Sequence, residues 1–153
     1  MSAALPFATT ATSLVAARQA SAIGAFNQGV AMRNASIALQ EATAQKKLTT
    51  YNLNKFNQSF EKLQSRTRVG LLKSGVELSG TALKILQSNA EQAELQRNVI
   101  EYNGQVAEAK KLEEAAFATI SGTLARRRAN LEALGYISQA GTSLLNMKQV
   151  GLI

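Results

Sequence analysis

Hydrophobic positions recur at helical spacing in two long stretches of this chain, separated by a short interval rich in glycine and serine. Glycine adopts a positive φ without strain, so this interval can reverse the chain. The only proline is Pro6, and nothing after it forbids a helix. The pattern predicts an all-α protein, a long antiparallel helical hairpin whose hinge consists of Gly70, Ser74, Gly75, Ser79 and Gly80.

We interpret the 153 residues as a single elongated helical domain with five segments. These are a small-apolar N-terminal segment (1–32), a first-arm amphipathic helix (33–69), the hinge (70–80), a second-arm helix (81–130) and an apolar C-terminal segment (131–153). Ser79 or Thr81 is expected to cap the second helix, because their hydroxyls can accept from a free N–H of its first turn.

Two groups in the first arm are candidates for helix packing. Small residues at helical spacing near the N-terminus permit close approach of a second helix, either in a soluble bundle or in a membrane. Further along, four large apolar side chains form one stripe, which suits a core, although its aromatic pair could also stack nucleic-acid bases. The candidates are Ala16, Ala20, Gly24, Leu53, Phe56, Phe60 and Leu63.

The second arm carries large apolar residues at alternating spacings of three and four, from Leu95 through Val99 and Tyr102 to Ile120. This near-heptad pattern predicts a coiled-coil-like seam. Two helices cannot bury two stripes together with two apolar ends. We therefore expect several copies to assemble as a homo-oligomeric ring or tube.

Composition narrows the possible chemistry. The chain has no Cys, no His and no Asp, so the usual catalytic triads, general bases and metal-ligand sets cannot be built. We expect neither an enzyme nor a bound cofactor.

The net charge of +7 lies entirely in the first arm, where nine basic residues up to Val76 outnumber two acidic ones. This excess could face DNA or lipid headgroups, or could simply be a solvated surface. The candidates for a DNA-facing or lumen-facing surface are Lys46, Lys47, Lys55, Lys62, Arg66 and Arg68. Arg126, Arg127 and Arg128 precede the C-terminal apolar segment and could border a membrane or contact another subunit.

The segment from Gly70 to Leu86, followed by Ala90 to Gln96 and by Ile100-Glu-Tyr-Asn-Gly, resembles the hinge signature of the small internal virion proteins of short-tailed bacteriophages, also called ejection or core proteins. The resemblance extends to the layout of nearly the whole chain. It implies a protein packaged inside the capsid near the portal, which leaves ahead of the genome and helps to form a conduit across the host envelope.

The implied partners are further copies of the chain, the larger ejection proteins, the portal, the genomic DNA in transit and the host outer membrane. No catalytic residue is carried over, because the family signature is a hinge. Two alternatives remain open from the residues alone. One is a self-assembling helical component of a secretion system or filament, and the other is a DNA-binding accessory protein that uses the basic first arm.

Overall fold

The computed structural model describes residues 4–75 and 80–149. Two helices, α1 (Ala4–Lys73) and α2 (Thr81–Gln149), account for nearly all of them and pack against each other. The all-helical prediction is confirmed, and the two packed helices are consistent with the predicted hairpin. The chain divides into two compact units, one formed by Met1–Ile37 with Glu114–Ile153 and the other by Ala38–Glu113.

Helix α1 ends with a glycine C-cap. Gly75 has a φ of 72°, and its N–H donates to the Leu72 carbonyl at 3.2 Å, one of the two hydrogen bonds of a Schellman motif. The Ser74 hydroxyl donates to the carbonyls of Gly70 and Leu71. Gly70 itself lies within α1, because the helix continues to Lys73, so the end of the helix lies later than the sequence pattern suggested.

Helix α2 begins immediately after Gly80. This glycine has a φ of 56°, and its carbonyl accepts from the Lys84 N–H at 3.2 Å. Gly80 therefore occupies the N-cap position, and Thr81 is already the first helical residue rather than the cap. Ser79, the other expected cap, lies outside the described residues.

Replacing Gly75 and Gly80 together by Ala should destabilise the reversal, because a Cβ at positive φ costs about 1–2 kcal/mol per residue. Gly70→Ala is the matched control. This residue is helical, and a Cβ added to it would meet no atom within 4 Å, so Ala should raise stability by about 0.5–1 kcal/mol. Urea unfolding followed by circular dichroism measures both effects, and a double variant as stable as wild type would contradict this reading of the reversal.

The contact between the helices is made of small residues. Among the side chains that the structure describes, every buried residue is Ala, Gly, Ser or Thr. In the unit containing both termini, Gly24 lies against Ala129 and Gly122 against Ala31, with no room for a Cβ at either glycine. In the unit Ala38–Glu113, Gly104 lies against Thr49 in the same way. We call this line of contacts the small-residue seam.

Most large apolar side chains lie outside this seam. Leu53, Phe56 and Phe60 are half-buried, and Leu63 is 56% exposed. The expected second-arm seam does not form the contact between the helices: Leu95, Val99 and Tyr102 are each more than half exposed. The physical reason is steric, since helices that meet at glycine and alanine are too close to admit leucine or tyrosine between them.

Gly24→Ala and Gly29→Ala should have opposite effects on stability, although both lie in α1. A Cβ at Gly24 would overlap the Ala129 Cβ, and such overpacking costs about 1–3 kcal/mol, whereas a Cβ at Gly29 meets nothing within 4 Å. Gly29→Ala should gain about 0.5–1 kcal/mol from helix propensity alone. The midpoint of urea unfolding measures both, and equal shifts would show that Gly24 is not a close contact.

Candidate interaction surfaces

Two grooves run along opposite sides of the small-residue seam in the unit Ala38–Glu113. Both include Phe56, Phe60 and Ala93. One is otherwise lined by uncharged residues, namely Ser59, Leu63, Asn89, Gln92 and Gln96. The other is lined in addition by Ala90 and by polar and charged residues, namely Asn57, Glu94, Arg97, Asn98 and Glu101. The two open sides of this helix pair therefore differ in charge.

The first groove is bordered by basic side chains. Ser59 of this groove has basic residues at helical spacing on both sides. Lys55 precedes it by four residues, and Lys62 and Arg66 follow it by three and seven, so all three lie on the same side of α1 as Ser59. All three are exposed, and none forms an ion pair within the part of the chain that the structure describes. We call this side, with its groove of Asn and Gln, the basic flank.

The other side of the unit carries both signs of charge, and we call it the mixed flank. Glu94 and Glu101 line its groove, and Glu108 continues their seven-residue spacing along α2. Arg97 lies between the two groove carboxylates in the sequence and lines the same groove. Nearer the reversal, Arg68 of α1 borders this side together with Gln64, Leu83 and Gln87.

The six predicted lumen-facing residues are all exposed, but they do not share one face. Lys55, Lys62 and Arg66 lie on the basic flank. Arg68 lies on the mixed flank, and by helical rotation Lys46 lies there too. Lys47 follows the helix side opposite the seam. Net charge per arm did not reveal this division, although plotting the basic positions on a helical wheel would have found it.

The N-terminal packing candidates lie around Gly24. Ala16 and Ala20 are half-buried, and with Gly24 and Ala129 they line an open groove whose rim includes Tyr136. These small residues therefore belong to the seam of the unit that contains the termini. In the part of the chain that the structure describes, neither α1 nor α2 contains an apolar stretch suited to spanning a membrane.

The α2 side of the seam was not predicted, because large apolar residues were expected to form that contact. Its positions on α2 recur every eleven residues, at Ala82, Ala93, Gly104 and Ala115 and again at Ala107, Ala118, Ala129 and Ala140. Eleven residues complete about three helical turns, so positions at this spacing recur on the same side of a helix. Small residues at this period were the available signal.

The three consecutive arginines have different surroundings. Arg126 is half-buried and donates from Nη1 to the Ser21 carbonyl of α1 at 2.9 Å. Arg127 is exposed, and Arg128 forms an ion pair with Glu132 one turn further on, at 3.4 Å. The first arginine therefore links the two helices, while the other two project outward, where a subunit contact or a membrane border stays a prediction.

Arg126→Leu should lower stability by about 1–2 kcal/mol, because it removes a charged donor from a carbonyl on the opposite helix. Arg127→Leu deletes the same charge at an exposed neighbour and should change stability by less than about 0.5 kcal/mol. Chemical unfolding of both variants gives the comparison. Equal effects would mean that the Arg126 hydrogen bond contributes nothing.

Comparisons with protein-family models, with curated proteins and with solved structures found no match to this chain.

Proposed function

We propose that this chain is a small internal virion protein of a short-tailed bacteriophage. It is packaged near the portal, leaves the capsid ahead of the genome, and forms part of an oligomeric conduit for DNA across the host envelope. Its partners in this role are the portal, the larger ejection proteins and, at the end of the path, the host outer membrane.

The observation that carries the proposal is the basic flank. By helical spacing Lys55 and Arg66 follow the same side of α1 as Ser59, which lines a groove with Asn89, Gln92 and Gln96, and no carboxylate lines this groove. A wall of this kind attracts phosphates through charges that water and salt screen, so DNA is drawn along it without being held. The wall includes residues of both helices, because Asn89, Gln92 and Gln96 belong to α2 and Ser59 belongs to α1.

The exposed apolar residues support the oligomeric part of the proposal. Among the described residues only small side chains are buried, while side chains such as Phe26, Phe117 and Leu131 are about 70% exposed. Monomeric soluble proteins seldom leave so many large apolar groups in water. Further copies of the chain, or the larger ejection proteins, would cover them.

A DNA-binding accessory protein is the second candidate, and the same basic flank favours it. The two roles differ in affinity. A conduit wall should bind DNA weakly at physiological salt as an isolated chain, whereas an accessory protein should bind tightly and with a steep salt dependence. Titrating labelled duplex DNA at several salt concentrations separates the candidates.

Location is the first test of the proposal. The chain should be found by mass spectrometry in purified phage particles, and after adsorption it should move to the envelope fraction of the host cell. Its absence from particles would overturn the proposal.

Lys55→Glu with Arg66→Glu should slow genome delivery by about tenfold or more, because the wall would then repel phosphates. The matched control is Lys46→Glu with Arg68→Glu, which changes the charge by the same amount away from the basic flank. Delivery is measured as the rate of DNA entry from particles that contain normal amounts of each variant. Equal delivery by both variants would exclude the basic flank as the wall, and loss of the first variant from particles would assign its charges to assembly.

A further inference from the structure

The outward faces of the two helices in the unit Ala38–Glu113 carry residues that match each other. The contact of Thr49 with Gly104 fixes the register of this helix pair, and the lining of the two grooves agrees with it. Thr49 lies against Gly104. Phe60 lies eleven residues after Thr49 on α1, Ala93 lies eleven residues before Gly104 on α2, and these two residues line the same grooves. Residues beside these contacts are therefore at equal heights along the two helices.

Two residues turn an α-helix by about 200°, so a residue two positions from the seam points away from the partner helix. Tyr51 and Lys62 occupy such positions on α1, and Tyr102 and Glu91 occupy them on α2. Tyr51 and Tyr102 are 61% and 66% exposed, and Lys62 and Glu91 are also exposed. The tyrosines share one height. Lys62 and Glu91 share another, about 16.5 Å nearer the reversal.

We propose that the outward face of α1 in one copy packs against the outward face of α2 in the next copy at the same height. Copies related by rotation about an axis parallel to the helices lie level with one another. Tyr51 of one copy then meets Tyr102 of its neighbour, and Lys62 meets Glu91. One tyrosine pair and one ion pair repeat at every contact between copies.

Charge identifies a second copy as the occupant. Within this unit α1 has seven basic and two acidic residues, a net charge of +5, whereas α2 has four basic and five acidic, a net charge of −1. Contact between two α1 faces would bring like charges together, and two α2 faces would bring Glu91 and Glu94 near their own copies. Only the mixed pairing brings opposite charges together, and it leaves an unused face at each end to continue the series.

The α2 face also needs cover. Leu95, Val99 and Tyr102 form an exposed apolar ridge on the side of α2 away from the seam. On α1, Leu48 and Tyr51 are the corresponding exposed residues. Glu91 accepts a hydrogen bond from Gln87 of its own helix at 3.3 Å and makes no ion pair within the described residues, so its carboxylate can still meet a lysine.

This contact concerns self-association alone and stands whether or not the assembly delivers DNA. The absence of native cysteine allows a direct test. In the variant Tyr51→Cys/Tyr102→Cys the two thiols of one chain project in opposite directions and cannot meet, because a disulfide needs Cα atoms within about 7 Å. Under mild oxidation we expect a ladder of covalent multimers on a non-reducing gel.

The register control is Tyr51→Cys/Leu95→Cys, in which the second thiol is displaced by seven residues, about 10.5 Å along α2. It should give no ladder. Equal ladders from both variants would overturn the proposed register, and dimers from either single-cysteine variant would indicate contact between like faces instead. Wild-type chain that sediments as a monomer at micromolar concentration would overturn the proposal altogether.

The ion pair is tested separately by charge reversal. Lys62→Glu and Glu91→Lys alone should each weaken self-association about fivefold, and the double reversal should restore it. Both residues are exposed, so the fold should be retained, which circular dichroism checks. Failure of the double reversal to recover wild-type association would show that the two residues do not meet.

Discussion

The close approach of two helix backbones is the constraint on which the rest of this structure depends. At Gly24, Gly104 and Gly122 the opposite helix occupies the space where a Cβ would be. Only small residues can line such a seam, so large apolar side chains are forced to its edges or to the outward faces. A seam of methyl groups buries little apolar area. Each carbon removed from water stabilises the pair by only about 0.8 kcal/mol. The paired helices therefore depend mainly on close steric fit. The hydrogen bond from Arg126 to the Ser21 carbonyl and the ion pair of Lys111 with Glu41 add to it.

In this structure the small side chains are buried between the helices and the large apolar side chains are exposed. In a typical bundle the large residues face the partner helix, and the outside is polar. Here alanines face the partner helix, and many leucines, phenylalanines and tyrosines are exposed and remain available for further contacts. A chain built in this way is expected to complete its hydrophobic core only in an assembly. This expectation underlies the proposal that the chain assembles with further copies.

The basic flank and the outward faces can serve one assembly, because Lys62 is the one residue named for both surfaces. On α1 the side chains of Lys55 and Arg66 border a groove beside the seam, whereas Tyr51 points away from the seam. Copies joined through their outward faces would each keep one flank on the same side of the series. If that series closes, the basic flanks could all face a central space, where a hydrated and weakly positive wall suits passing DNA. The proposed contact between copies and the proposed function are thus compatible, although neither requires the other.

The helices and the place where the chain reverses could be predicted from the residues alone. A lack of proline after Pro6 and a wealth of helix formers favour helix throughout, and glycine is the residue that tolerates the positive φ found at Gly75 and Gly80. These are local properties of the backbone, which a sequence states directly. The exact end of α1 was not determined in this way, because Gly70 only lowers helix propensity and the helix continues through it.

Which side of α2 faces α1 depends on the fit between the two helices and could not be read from the sequence. The ridge from Leu95 to Tyr102 and the alanines from Ala82 to Ala115 both recur at helical spacing, so periodicity cannot choose between them. Burial of large residues favours the first, and close backbone approach favours the second. The choice followed from steric fit along both helices at once, with Gly104 against Thr49 and Gly24 against Ala129. That choice also set which charges share a flank, because once the seam is fixed, helical rotation places Lys55 and Arg66 on one side and Arg68 on the other.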